Sequence, residues 1–146
     1  MSDLTNFAEN RFVDALLRGQ ALGAPATLHF ALLTAVADAE AGTFTEVSGG
    51  SYARVAVLAS LANFSGTQGA GTTVASSGTG GQTSNNVLIT FPAPTANWGV
   101  VTHVALMDAS SGGNAWVIRA LALAKTVNNG DAAPSFPAAA FSFTMG

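Results

Sequence analysis

"TLHFALLT", Thr27 to Thr34, decides how this chain folds. Leu28, Phe30 and Leu32 fall on one side of an extended backbone; Thr27, His29, Ala31 and Leu33 fall on the other. The period is two. Upstream it is different: Leu4, Phe7, Ala8, Phe12, Ala15 and Leu16 recur at spacings of three and four, which lines one face of a helix. Ser2 is placed to cap that helix and Asp3 to face its dipole. Asp14 and Arg18 form an i, i+4 pair in the favourable order. The helix is expected over about 3–18. "RGQALGAP" ends it, with Gly19 and Gly23 as cap candidates and Pro25 beyond.

After Thr27 the pattern stays extended. "TFTEVSGGSYARVAVLASL" reads as two strand-like runs around Ser48-Gly49-Gly50, a turn signal. Further strands are expected at about Asn86–Phe91, Gly99–Met107, Ala115–Ala122 and Phe136–Thr144. "DASSGGN" reads as a hairpin loop and "VNNGD" as another turn. Pro92, Pro94, Pro134 and Pro137 mark strand ends or edges, because proline cannot donate to a ladder. One helix followed by roughly six or seven short strands implies a mainly β fold. The expected form is an antiparallel β-sandwich or small, jelly-roll-like barrel with one amino-terminal α-helix.

"SGTQGAGTTVASSGTGGQTSNN", Ser65–Asn86, interrupts the strands with an uncharged run of small residues. It reads as an inter-domain linker, a disordered insert, or a loop that orders against a neighbour. Each flanking half would be a marginal domain alone, and the second half has no helix to cover a sheet. The expectation is therefore a single β-rich domain over residues 1–146, with 65–86 as a long loop. Long loops in compact domains are usually functional or disordered. Ordering by contact with neighbours is the favoured reading, and plain disorder comes second.

Charge is scarce. Hydrophobic residues make up 49% and charged residues 9%, against about 25% charged in ordinary soluble proteins. No Asp, Glu, Lys or Arg lies between Arg54 and Asp108. Solvated monomers usually carry mixed charge over their surface, so this composition points to a surface covered by copies of the chain or by a partner. The basic residues are scattered: Arg11, Arg18, Arg54, Arg119 and Lys125. They make no stripe for phosphates, and a nucleic-acid partner is not expected. The most apolar stretches, "ATLHFALLTAVA" and "AWVIRALALA", fall short of the roughly 20 residues of a membrane helix. No membrane partner is expected either. "MSDLTNFAEN" lacks the regions of a signal peptide, so synthesis in the cytoplasm is expected. Without secretion the sequon at Asn63 carries no meaning.

Chemistry needs convergent polar groups, and the sequence offers none. Cysteine is absent, which removes thiolate ligands and nucleophiles. His29 and His103 sit singly on expected strands, where a packed or surface role outweighs a base or ligand. No paired-histidine spacing suggests zinc, and no G-x-S-x-G elbow occurs. "GAGTTV" at Gly69 and "GTGGQT" at Gly78 are glycine-rich but complete no phosphate-binding motif. Asp38 and Glu40 neighbour one another in what reads as an exposed loop. Trp98 and Trp116 read as core or sheet filler, with a sugar platform as the alternative. No catalytic residue, cofactor site or metal site is assigned, and the chain is not expected to be an enzyme.

"TEVSGGSYARVAV" (Thr45–Val57), "ITFPAPTANWGVVTHVALMDASSGGN" (Ile89–Asn114) and "KTVNNGD" (Lys125–Asp131) together resemble small virion structural proteins of tailed bacteriophages. The order and spacing of these blocks carry the likeness, which runs from Leu4 to Phe143. The long Ser65–Asn86 insert departs from that pattern. The resemblance implies a virion component made in the host cytoplasm, in a group of tail-fibre-like and capsid decoration proteins. The motif residues also admit structural roles: turns at Gly49-Gly50 and Gly112-Gly113, an anchor at Trp98-Gly99, and a cross-strand pair of Glu46 with Arg54.

A short, charge-poor chain suits tiling better than reaching. The expected function is a capsid decoration, or cement, protein that stabilises the head shell. It would act as a homo-oligomer, a trimer being one form, with the major capsid protein or other virion proteins as partners. The alternative is a tail or tail-fibre subunit, with host-carbohydrate binding as an added role.

Overall fold

The computed structural model describes residues 3–145. Helix α1 spans Asn6–Leu17, a later start than the expected residue 3. Asp3 and Leu4 are instead extended. Leu4 bridges Val117 antiparallel, Ile118 N–H donates to the Asp3 carbonyl, and Thr5 N–H donates to the Trp116 carbonyl. Thr5, not Ser2, is then the cap: its Oγ1 accepts from Ala8 N–H at 3.4 Å and donates to the Ala115 carbonyl at 2.6 Å. Ser2 lies outside the described residues. At the other end Gly19, with φ +69°, lets Gln20 N–H turn back to the Asp14 carbonyl. The Asp14–Arg18 pair forms on the exposed surface at 3.0 Å.

The strands are β1 (Thr27–Asp38), β2 (Thr43–Glu46), β3 (Val55–Leu58), β4 (Gln82–Ser84) and β5 (Ile89–Thr90). After these come β6 (Gly99–Met107), β7 (Ala115–Val127), β8 (Ser135–Phe136) and β9 (Ser142–Thr144). The five-stranded main sheet is antiparallel throughout, with β1 at its centre. On one side β1 pairs with β6, and β6 with β7. On the other side it pairs with both β2 and β3, end to end: Leu33 opposes Glu46, and Phe30 opposes Val55. The two expected runs around Gly49-Gly50 therefore do not face one another. They are one edge, interrupted where Val47–Arg54 loops out.

Two short sheets, β4 with β9 and β5 with β8, complete a sandwich-like mainly β fold. The larger core joins Phe30, Leu32, Val104 and Leu106 of the main sheet to Ile89, Phe91 and Phe141. A smaller core of Ala31, Leu33, Ala105 and Met107 lies on the opposite face, as strand alternation requires. Gly99–Met107 matches the expected strand. Ala115–Ala122 continues to Val127, whereas Phe136–Thr144 splits into β8 and β9 at Pro137, which cannot donate to a ladder. Asn86–Phe91 shrinks to β5.

Buried Asn85 ties this carboxyl-terminal segment down. Its Nδ2 donates to the Val87, Phe136 and Pro137 carbonyls, and its Oδ1 accepts from Phe141 N–H at 2.9 Å. Both of its amide hydrogens are used, one of them shared between two carbonyls, and its oxygen accepts one bond.

The Ser65–Asn86 segment is also different from expectation. Its end is β4, and its body bonds to itself. Gly66 N–H donates to Thr72 Oγ1, Thr67 N–H to Ser76 Oγ, Gln68 Nε2 to the Ala75 carbonyl, and Gly71 N–H to Asn86 Oδ1. At its base Ser65 N–H meets the Ser84 carbonyl at 2.8 Å.

Candidate functional site

The recurring motif residues converge inside the molecule. The Val47–Arg54 loop leaves Leu32 on β1 without a ladder partner for its N–H, and the Tyr52 hydroxyl takes that place, accepting at 2.9 Å. Tyr52 then donates to Glu46 Oε1 at 2.7 Å. Arg54 grips the same carboxylate with two bonds of 2.8 Å, Nε to Oε1 and Nη2 to Oε2, the paired geometry that suits guanidinium to carboxylate. Its Nη1 reaches the Ala109 and Gly112 carbonyls of the β6–β7 hairpin loop. One arginine thus fastens two loops together, with only 5% of its side chain exposed.

The electrostatics follow from the geometry. Burial alone would raise the Glu46 pKa, but the Arg54 and Tyr52 hydrogen bonds and the guanidinium charge outweigh it and hold the carboxyl below the usual range. Burial and the bond to Glu46 push the Tyr52 phenol up, so it stays a donor. The bond to Glu46 raises Arg54 further, against the effect of burial. In the hairpin loop, burial opposes ionisation of Asp108, and the Asn114 backbone and side-chain N–H groups overcome it. The Trp116 indole N–H has no partner in hydrogen-bonding geometry, although it lies near enough to Asp108 to help keep it ionised.

The outer half of this brace is Trp98. Its indole N–H donates to the Gly50 carbonyl at 3.0 Å, and its ring meets Tyr52 edge-on at 5.3 Å. Gly50 has to be glycine here: a Cβ would sit 2.8 Å from Trp98 Nε1, at a φ of +56°. Trp98 is 5% exposed, so it offers no stacking face to a sugar.

The other sequence candidates stay apart. His29 lies opposite Met107 and His103 opposite Leu33, four residues along β1 and so roughly 13 Å distant. His103 Nδ1 meets only Thr102 Oγ1, at 2.8 Å. Asp38 caps the β1–β2 turn through Ala41 N–H. In the glycine-rich stretch at Gly69 the Gly69 and Gly71 amides are spent within the segment, on the Gly66 carbonyl and Asn86 Oδ1. Among the described residues no three His, Asp or Glu side chains gather to hold a metal ion.

The structure also presents apolar side chains outward. β7 is the last strand of the main sheet, and among the described residues its outer edge is paired only near Val117, by the Asp3–Thr5 segment. Beyond that, β6 and β7 slip: Val101 opposes Lys125 but His103 opposes Ala120, so Leu121–Ala124 bulges from the ladder. Leu123 is 84% exposed. A groove of about 400 Å³ runs between this bulge and the Pro134–Ser142 segment. On α1, Val13, Leu16 and Leu17 are exposed too. Sequence periodicity missed the groove because it depends on a register slip, although Leu123, alternating with Leu121 just past the expected strand end at Ala122, was a visible trace.

The family model for Podophage GP4 fiber I protein gp80 matches residues 3–144. The chain belongs to this family. No curated protein matches it. As a fiber I family member it is a bacteriophage virion structural protein, as the blocks around Tyr52, Trp98 and Gly113 implied. In the structure those blocks form the brace and its loops. Among the described residues no helix is long and apolar enough to cross a membrane.

Proposed function

We propose that this chain is a structural subunit of a virion fibre, incorporated through contacts with other copies of itself and with neighbouring virion proteins. The observation that carries the reading is the free end of β7. A long, unpaired, apolar strand edge is ordinarily blunted by charge, proline or a covering element. Here only Lys125 offers charge beyond Arg119, and Leu123 points to solvent. A surface of this kind suits permanent contact, where about 800 Å² per partner makes a stable interface. The family description supplies the word fibre.

The work of such a subunit is mechanical. Arg54 and Asn85 fix loops and termini against the sheets, and the exposed edges join subunits. Shearing the assembly then means breaking apolar contacts, while each subunit keeps its shape. Binding that requires the folded subunit also stabilises it by mass action.

The test is location and copy number in purified virions, by immunogold labelling together with quantitative mass spectrometry against the major capsid protein. Labelled fibres and a small number of copies per particle are expected. A ratio near one per capsid subunit, with label over the head, would replace the fibre reading by capsid decoration through the same surface. Absence from virions would overturn both.

A further inference from the structure

We infer that copies of this chain join head to tail: the exposed ridge of α1 from one copy fills the groove beside β7 of the next. The proposal deepens the assembly reading above and rests on it. Glu9, Val13, Leu16 and Leu17 lie at i, i+4, i+7 and i+8, one stripe of the helix. Val13, Leu16 and Leu17 are 51%, 83% and 76% exposed. Only the first turns of the helix are used at home, where Ala8 is buried and Phe7 meets Trp116 edge-on at 5.5 Å. The later turns project an apolar ridge that none of the described residues covers over.

The groove is its complement. Val104 lies at its floor, Leu121 and Leu123 form one wall, Phe136 and Phe141 the other, and Lys125 stands at one end. Ridge and wall agree in length: Glu9 to Leu17 spans roughly 12 Å along a helix axis, and Leu121 to Lys125 up to roughly 13 Å of strand. They also agree in charge. The ion pairs among the described residues join Asp14 to Arg18, Glu46 to Arg54 and Asp3 to Arg119. Glu9, at one end of the ridge, and Lys125, at one end of the groove, enter none of them. Docking with Glu9 against Lys125 lays Leu16 and Leu17 toward Leu121. Within one chain the two surfaces do not meet, since Leu16 and Leu123 are both more than four-fifths exposed. A second copy supplies the missing half, and because ridge and groove are different surfaces the contact is heterologous, building a ring where the rotation between copies closes and an open filament where it does not.

A complementation experiment on the purified full chain tests this. Leu17→Glu spoils the ridge, Leu123→Glu spoils the groove, and both positions are exposed, so unchanged melting curves check that each variant folds. By sedimentation velocity the wild type is expected to self-associate, and each variant alone to associate at least about tenfold more weakly. An equal mixture of the two is expected to form a heterodimer, because it restores one intact ridge–groove pair. Glu9→Lys combined with Lys125→Glu should recover association that either change alone weakens. A wild type monomeric at all concentrations overturns the proposal. So does an oligomer indifferent to Leu17→Glu, and so does a mixture that fails to pair, which would mean that β7 edges meet each other instead. None of these results depends on where the protein sits in the virion, so the fibre reading and this contact can fail separately.

Discussion

Removing the Arg54 guanidinium strands three acceptors at once: the Glu46 carboxylate and the carbonyls of Ala109 and Gly112. Breaking a buried ion pair from one side costs about 3–5 kcal/mol, because the remaining charge is left without compensation. Arg54→Ala is therefore expected to lower the unfolding free energy by about that much in urea at neutral pH. A loss under about 1 kcal/mol would reduce the brace to a surface contact. Acid acts on the same site. The Glu46 pKa is depressed by folding, so its contribution is present above the unfolded value of about 4.3 and is lost as pH falls through the folded value. The wild type should lose stability below about pH 4 more steeply than Glu46→Gln, read from urea midpoints across that range. The Glu46–Arg54 partnership was legible in the sequence, though as a cross-strand pair rather than the two ends of one looped-out edge. The role of Tyr52 was not, because its hydroxyl matters only once the loop has deprived Leu32 of a ladder partner.

At the scale of elements, the Gly/Ser/Thr segment divides into a part that can be removed and a part that cannot. Ser65, Ser84 and Asn85 belong to the fold, through the Ser65–Ser84 bonds, the β4–β9 pairing and the Asn85 amide. Between them the loop closes on itself, and a Cβ on Gly80 would press on the Thr67 carbonyl. Replacing Gln68–Thr79 by a two-residue turn should thus leave the melting temperature within a few degrees, since loop length enters closure entropy only logarithmically. Excision of all of 65–86 should prevent cooperative unfolding altogether, as seen by circular dichroism. Equal stability of the two deletions would refute the division. The sequence showed Gly99–Met107 and the Thr27–Thr34 part of β1 well, because they carry apolar residues on both faces; it read Val36–Asp38, the end of β1, as loop. It showed β4, β5, β8 and β9 poorly. Strands of two or three residues have no periodicity to read, and their pairing depends on Asn85, whose amide is indistinguishable in sequence from the other polar residues of "TSNN".

For the whole molecule, scarcity of charge was the most informative feature of the composition, and the structure gives it a location. The charges present are largely spent on internal fastening, as with Arg54 and Arg119. Among the faces left over are the α1 ridge and the β7 groove. If those faces join copies, stability must depend on concentration. A partner that binds only the folded chain adds about 2.7 kcal/mol at a hundred times the dissociation constant. For a chain of this size, each kcal/mol moves the midpoint by about 2–4 °C or somewhat more. The wild-type melting temperature should therefore fall by several degrees on hundredfold dilution by scanning calorimetry, starting well above the dissociation constant. Leu123→Glu should remove that dependence while keeping the midpoint of the dilute wild type, because the residue is exposed and contributes little to the isolated fold. A midpoint that ignores concentration in the wild type would mean that the fold draws nothing from its copies, and the exposed leucines would then have to be explained by contact with a different virion protein.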